Sequence, residues 1–231
     1  MNKESTEDIV VKFSRFTFSV RLKSIFFPVE LADLLPLLEE TGYSVRREIL
    51  DTVPQAPPGA RLLAGGTIAE RRDVGQLFRM EPDRGVIAIA GKDIASVIED
   101  FDRIEKLMGD RLYVIIEQEA RFYELTSEGS ANTEEDPTAV IARLQEGNDF
   151  FNKASQVLGF SSTNFGVRIV EQNRLVTDNE WCDIRIEPLV MKPDRSYHIS
   201  VVYRHPDRAK AVKMAHSLVD TIRQIISLME H

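Results

Sequence analysis

Met80-Glu81-Pro82-Asp83-Arg84 returns later in the chain as Met191-Lys192-Pro193-Asp194-Arg195. Each copy opens into an alternating run, Val86-Ile87-Ala88-Ile89 after the first and Tyr197-His198-Ile199-Ser200-Val201-Val202-Tyr203 after the second. Each run then leads into a long amphipathic segment. Recurrence of this kind marks a duplicated unit in which each copy is a supersecondary block. The repeat divides the chain into a first αβ half over 1–109 and a second over 110–231, each its own repeat or the two merged into one domain.

Working outward, Ile9 to Lys23 reads as a long strand. Phe16, Phe18 and Val20 alternate with Thr17, Ser19 and Arg21, the period of a strand with one buried face. A helix is expected from Pro28, with Leu31, Leu34, Leu35 and Leu38 as its buried stripe and Gly42 as a left-handed cap. Pro36 falls inside that stripe, so the helix either kinks or begins near it. Tyr43 to Leu50 reads as a strand, and 51–60, with Pro54, Pro57 and Pro58, as an exposed loop. Two or three strands fill 61–89, with a turn at Pro82-Asp83-Arg84-Gly85. Asp93 is placed to cap a helix to about Met108 that buries Val97, Ile98, Phe101 and Ile104.

The second half follows in the same order. Leu112 to Leu125 reads as a strand and 126–136 as a polar loop. Asp136-Pro137 starts a helix that ends at Gly159-Phe160-Ser161, answering Gly42-Tyr43-Ser44. Strands are expected over 165–171, 174–177, 181–191 and 196–204. The final helix opens at His205-Pro206-Asp207, with Val212, Ala215, Val219, Ile222, Ile226 and Met229 as its stripe.

Neither half alternates strands and helices as a doubly wound parallel sheet does. The expected class is α+β: internally duplicated, mostly antiparallel sheets with helices packed on one face and the halves related by a pseudo-twofold axis. Joining the two sheets edge to edge would remove an exposed edge from each. The order strand–helix–four strands–helix, present twice, resembles the TATA-box-binding protein family over most of the chain. That resemblance implies a saddle, and for function a sheet that reads and bends the minor groove through apolar wedges and basic groups. It carries no individual residue across.

Charge points elsewhere. The chain has 29 Lys and Arg against 37 Asp and Glu, a net charge of −8. The balance is 15 against 18 over 1–109 and 14 against 19 over 110–231. Nonspecific nucleic-acid binding depends on neutralising phosphates, and no long basic run is present. This favours a protein partner or a small ligand over nucleic acid. Cys182 is the only cysteine, so an intrachain disulfide and a thiolate zinc cluster are excluded. The polar N-terminus and the short apolar runs predict a cytoplasmic protein with no membrane association, as a monomer or homodimer.

Several short patterns invite chemistry. Arg46-Arg47 and Arg71-Arg72 would form a basic patch if they met on one sheet face. Glu117 and Glu119 alternate on the expected second long strand and, with Glu124, would line one side of a curved sheet facing a protein partner. His198, His205, Cys182 and Asp183 are metal-ligating types without an established spacing, so no metal or other cofactor is expected; an enzymatic or ligand pocket would centre on His198. The three Pro-Asp-Arg triplets at 82–84, 193–195 and 206–208 suit turns and caps, and would form an anion-binding rim only if brought together. No metalloprotease, phosphate-loop, dinucleotide or nucleophile-elbow motif occurs, which points away from catalysis. The expected function is a noncatalytic binding or interaction module using the joined sheet or the groove between the repeats. A saddle-type nucleic-acid-binding protein and a His198 pocket are the alternatives.

Overall fold

A computed structural model describes residues 9–24, 29–45, 66–144, 146 and 149–231. The strands are β1 (Val10–Leu22), β2 (Ser44–Val45), β3 (Gly66–Arg71), β4 (Gln76–Glu81), β5 (Val86–Gly91), β6 (Ala120–Asn132), β7 (Val167–Val170), β8 (Trp181–Pro188) and β9 (Ser196–His205). The helices are α1 (Leu31–Glu40), α2 (Ile94–Leu112), α3 (Ile116–Glu119), α4 (Pro137–Arg143), α5 (Phe150–Leu158) and α6 (Arg208–Glu230).

The described strands form one nine-stranded sheet in the order β2-β3-β4-β5-β1-β6-β9-β8-β7. Every pairing is antiparallel. β1 and β6, the opening strands of the two halves, pair from Val10↔Asn132 to Leu22↔Ala120 and put the seam in the middle. Antiparallel pairing of equivalent strands is the relation a local twofold axis gives, and it leaves neither strand as an edge. The fold is α+β.

Register decides the two faces. Phe18 lies between Ile89 and Leu125, and Val20 between Ile87 and Tyr123, all on one face. These side chains are buried with Val97, Phe101 and Ile104 of α2 and Leu218, Ile222 and Ile226 of α6 in a single core. Phe18 meets Phe101 edge-on, with ring centroids 5.1 Å apart. The opposite face carries Thr17 and Ser19 beside Ala90 and Ala88, and no described helix covers it. Packing apolar side chains from both layers into one core is what fixes helices to a single face.

Local signals explain most boundaries. Asp93, Asp136 and Asp207 cap α2, α4 and α6 by accepting from the backbone N–H of Ser96, Thr138 and Ala209. Gly42 and Gly159 follow α1 and α5 with φ of 87° and 73°, which suits glycine. Pro36 sits within α1 and does not start it. The expected start at Pro28, the strand residues after Val45, the proline loop at 51–60 and the first part of the 61–89 strand region, 61–65, lie outside the described residues.

Other expectations are corrected. The expected strand from Leu112 begins only at Ala120, because α2 continues to Leu112, Tyr113 turns left-handed at φ 57°, and α3 follows. The expected polar loop at 126–136 is largely strand: β6 runs to Asn132 because β1 and β9 satisfy its backbone on both sides. The expected helix from Asp136 to Gly159 is two helices, α4 and α5, and α5 buries no residue. No strand forms over 174–177. The α6 stripe is rotated, burying Ala211 and Leu218 while Val212 and Val219 are half-buried.

The halves are also tied through polar contacts. Arg208 at the start of α6 contacts Asp102 of α2, and its Nε lies 3.4 Å from Glu105 Oε2. With Arg208 engaged by Asp102, burial and then the neighbouring Glu117 carboxylate raise Glu105 to about 7. A carboxyl that titrates higher folded than unfolded contributes stability below its unfolded value near 4.5, and loses it as pH rises through about 7. Glu105→Gln is therefore expected to stabilise the protein by roughly 2 kcal/mol at pH 8, with little change at pH 4.5. Urea denaturation at the two pH values checks this; an equal effect at both would refute it.

Candidate functional site

The candidate site lies on the uncovered sheet face, across the seam. On β1 the polar register places Arg15, Thr17, Ser19 and Arg21 on that face. Small residues form its floor, with Thr17 directly opposite Thr126 and Ser19 opposite Ala88. Longer side chains from β4, the turn after it, β6 and β9 rise around that floor. They enclose a concavity of about 320 Å³ whose walls include Arg21, Arg79, Arg84, Phe122, Glu124 and Arg204. A neighbouring hollow of about 270 Å³ shares Thr17, Arg79 and Thr126 and reaches Arg15 and Glu128.

The walls differ in how far their charge is committed. Arg204 donates to Glu124 Oε2 from Nε at 2.8 Å and Nη2 at 2.6 Å, and from Nη1 to the carbonyls of Val176 and Asp178. Its guanidinium stands 4.4 Å from the centroid of the Phe122 ring. Arg84 donates to Glu81 at 3.1 Å, and Arg79 lies 4.0 Å from the same carboxylate. Arg15 and Arg21 form no side-chain hydrogen bond or ion pair among the described residues. They stand on the central strand as uncommitted cations.

The residues singled out from the sequence are dispersed. Arg46 and Arg47 lie outside the described residues. Arg71 points to the helix side, where Nη1 donates to both Asp100 carboxylate oxygens at 2.7 and 2.9 Å. Arg72 is exposed and bonds Glu70 at 2.8 Å. Glu117 and Glu119 sit on α3 rather than on a strand, so only Glu124 of the expected acidic row lies on the uncovered face. His198 is on that face, opposite Ser130 and Glu187, and lines neither hollow.

The Cys182, Asp183, His198 and His205 group does not assemble either. Cys182 and His205 sit on the helix side, and burial pushes the Cys182 thiol up to about 11. Asp183 is on the uncovered face, where Arg168, bonded at 2.8 and 3.0 Å, holds its carboxyl below the usual range with help from Arg185. Among the described residues no cluster of three or more His, Cys, Asp or Glu is placed to hold a metal ion. The Pro-Asp-Arg triplets are likewise separate: Arg84 reaches the basin, Arg195 lies in the turn before β9, and Arg208 binds α2.

Sequence reasoning passed over Arg15, Arg21, Arg79 and Arg204. Arg15 and Arg21 carried a readable signal, since both fall in the polar register of β1 with Thr17 and Ser19. Arg79 and Arg204 gain meaning only from the strand order.

No family model matches the chain. No curated protein matches it either. Among solved structures it is similar to Methanococcus jannaschii TBP, with 11% identity and a TM-score of 0.35, over 93% of this chain and 98% of that one. It is also similar to Clostridium acetobutylicum aspartate kinase, with 12% identity and a TM-score of 0.24, over 91% of this chain and 34% of that one. Among the described residues, no helix is long and apolar enough to cross a membrane.

Proposed function

We propose that the protein is a noncatalytic binding module that works through the uncovered face of its joined sheet and takes an anionic partner there. The observation that carries this reading is the pair of uncommitted arginines, Arg15 and Arg21, on the central strand of a face that no described helix covers. Guanidinium groups suit anions because their planar fork matches carboxylate and phosphate oxygens. The amide spectrum of the protein, recorded with hexaglutamate, a short DNA duplex and inorganic phosphate in turn, tests it. At least one probe is expected to shift β1, β4, β6 and β9 residues of the uncovered face. Silence with all three, or shifts confined to the helix side, would overturn the reading.

Nucleic acid is the second reading, favoured by the arginines carried on β1, β4, β8 and β9 of that face. It expects duplex affinity to fall steeply as salt rises, one counterion being released per neutralised phosphate. A flat salt dependence would remove it.

A further inference from the structure

The basin over the seam differs from the rest of the face in its charge. Its walls bring Arg21, Arg79, Arg84 and Arg204 against Glu81 and Glu124, four cations and two anions, for an excess of +2. The whole chain carries −8. Beyond the basin, acids interleave with the arginines: Glu128 lies opposite Arg15 and Ser200, Asp183 opposite Val202, and Glu187 opposite His198. A long polyanion laid across the sheet would meet those carboxylates one after another. A small anion confined to the basin meets the local excess alone.

The donors in the basin have the same character. The Ser19 hydroxyl is occupied, donating to the Glu124 carbonyl at 3.2 Å. Thr17 and Thr126 face each other on the floor, and neither hydroxyl has a side-chain partner among the described residues. Arg21 is four residues along β1 from Thr17, a strand distance of about 13 Å. An arginine side chain leaning over Ser19 and a ligand of a few atoms would close that gap together. The volume of about 320 Å³ is at the small end of ligand sites. Phe122, opposite Arg21 across the seam and covered by Arg204, supplies a fixed apolar side wall.

Resting on the binding-module reading above, we propose that this basin is a site for a small dianion, a phosphate monoester or a short dicarboxylate, anchored by Arg21 and received by the Thr17 and Thr126 hydroxyls. Arg84 and Arg79, each beside Glu81, complete the cationic side. Arg204 holds the wall and is a positioning residue.

The test uses the full chain and two probes, inorganic phosphate and succinate, titrated separately while amide and arginine Nε–H signals are recorded. At least one is expected to saturate with a Kd of roughly 1 mM or tighter. The shifts should centre on Arg21, Thr17, Ala88 and Thr126. Phosphate alone assigns a phosphoryl ligand, and succinate alone a dicarboxylate. Arg21→Gln is expected to weaken binding roughly tenfold or more, since it removes a charged hydrogen-bond donor. Arg195→Gln removes an exposed charge in the turn before β9, outside the basin, and is expected to change affinity less than about twofold. Equal losses in the two variants would overturn the site, because they would mean diffuse attraction. Shifts with hexaglutamate or duplex but with neither small anion would overturn the dianion proposal and leave the binding module standing. Silence with every probe would remove both. Since wild-type shifts are read directly, the conclusion does not depend on either variant folding.

Discussion

Asp100→Ala is expected to destabilise the protein by about 3–5 kcal/mol. Asp100 lies on α2 with its side chain 3% exposed. It accepts from Arg71 Nη1 at 2.7 and 2.9 Å and from the Tyr43 hydroxyl at 3.0 Å, with Arg103 at 3.3 Å. Removing the carboxylate strands a mostly buried guanidinium and a buried phenol at once, and the penalty is the desolvation of both rather than the loss of one bond. The network also pins β3 and the Tyr43 segment to α2, so its loss should loosen that end of the sheet. Asp100→Asn keeps the shape and one acceptor but loses the charge, and should fall between wild type and alanine. Tyr43→Phe should cost about 1 kcal/mol. Urea denaturation of the three variants gives the ordering; a loss under about 1 kcal/mol for Asp100→Ala would show that the network contributes nothing net.

Gly129→Ala is expected to cost about 3 kcal/mol or more and to act at the seam. Gly129 lies in the middle of β6, paired with Phe13 on β1 and Ile199 on β9. A β-carbon there would stand 2.5 Å from the Lys12 carbonyl oxygen, 2.8 Å from the Phe13 ring and 2.9 Å from the Phe13 Cα. Two of the three contacts are backbone, so no side-chain rotation relieves them. The register shift between Phe13 and Arg15 shows β1 bulging at this point, where glycine permits close backbone approach. Because β1 and β6 join the halves, the strain falls on the joint. The same substitution at Gly159, where nothing lies within 4 Å but φ is +73°, should cost only about 1 kcal/mol. Thermal denaturation of the two variants side by side checks the contrast; equal losses would mean that the seam relaxes around the new methyl group.

The fold class was legible because its signals are local. Phe16, Phe18 and Val20 against Thr17, Ser19 and Arg21 reported two faces, and Asp93, Asp136 and Asp207 announced three helices through capping chemistry. Boundaries failed where a distant partner overrode local preference. The polar run after Leu125 stays extended because β1 and β9 take its backbone bonds, and Glu117 and Glu119 mimic strand alternation while occupying a helical turn. The candidate site was less legible. Arg71 and Arg72, adjacent in sequence, point to different surroundings, because Arg71 ends β3 with its side chain on the helix side and Arg72 lies in the turn that follows. The basin arginines lie on β1, on β4 and the turn after it, and on β9, and these come together only through the strand order.

The chain by itself determined its α+β class, the capped starts of three helices, and the polar register that places Arg15 and Arg21 with Thr17 and Ser19, since each depends on residues a few positions apart. Tertiary structure alone decided that β1 would meet β6, that Asp100 would neutralise Arg71, and that Glu124 would engage Arg204 while Arg21 stayed uncommitted. Those outcomes rest on contacts between residues 29 to 122 positions apart, from Arg71–Asp100 to Val10–Asn132. Burial of one shared core set the register of each strand, and the register chose which charges became partners.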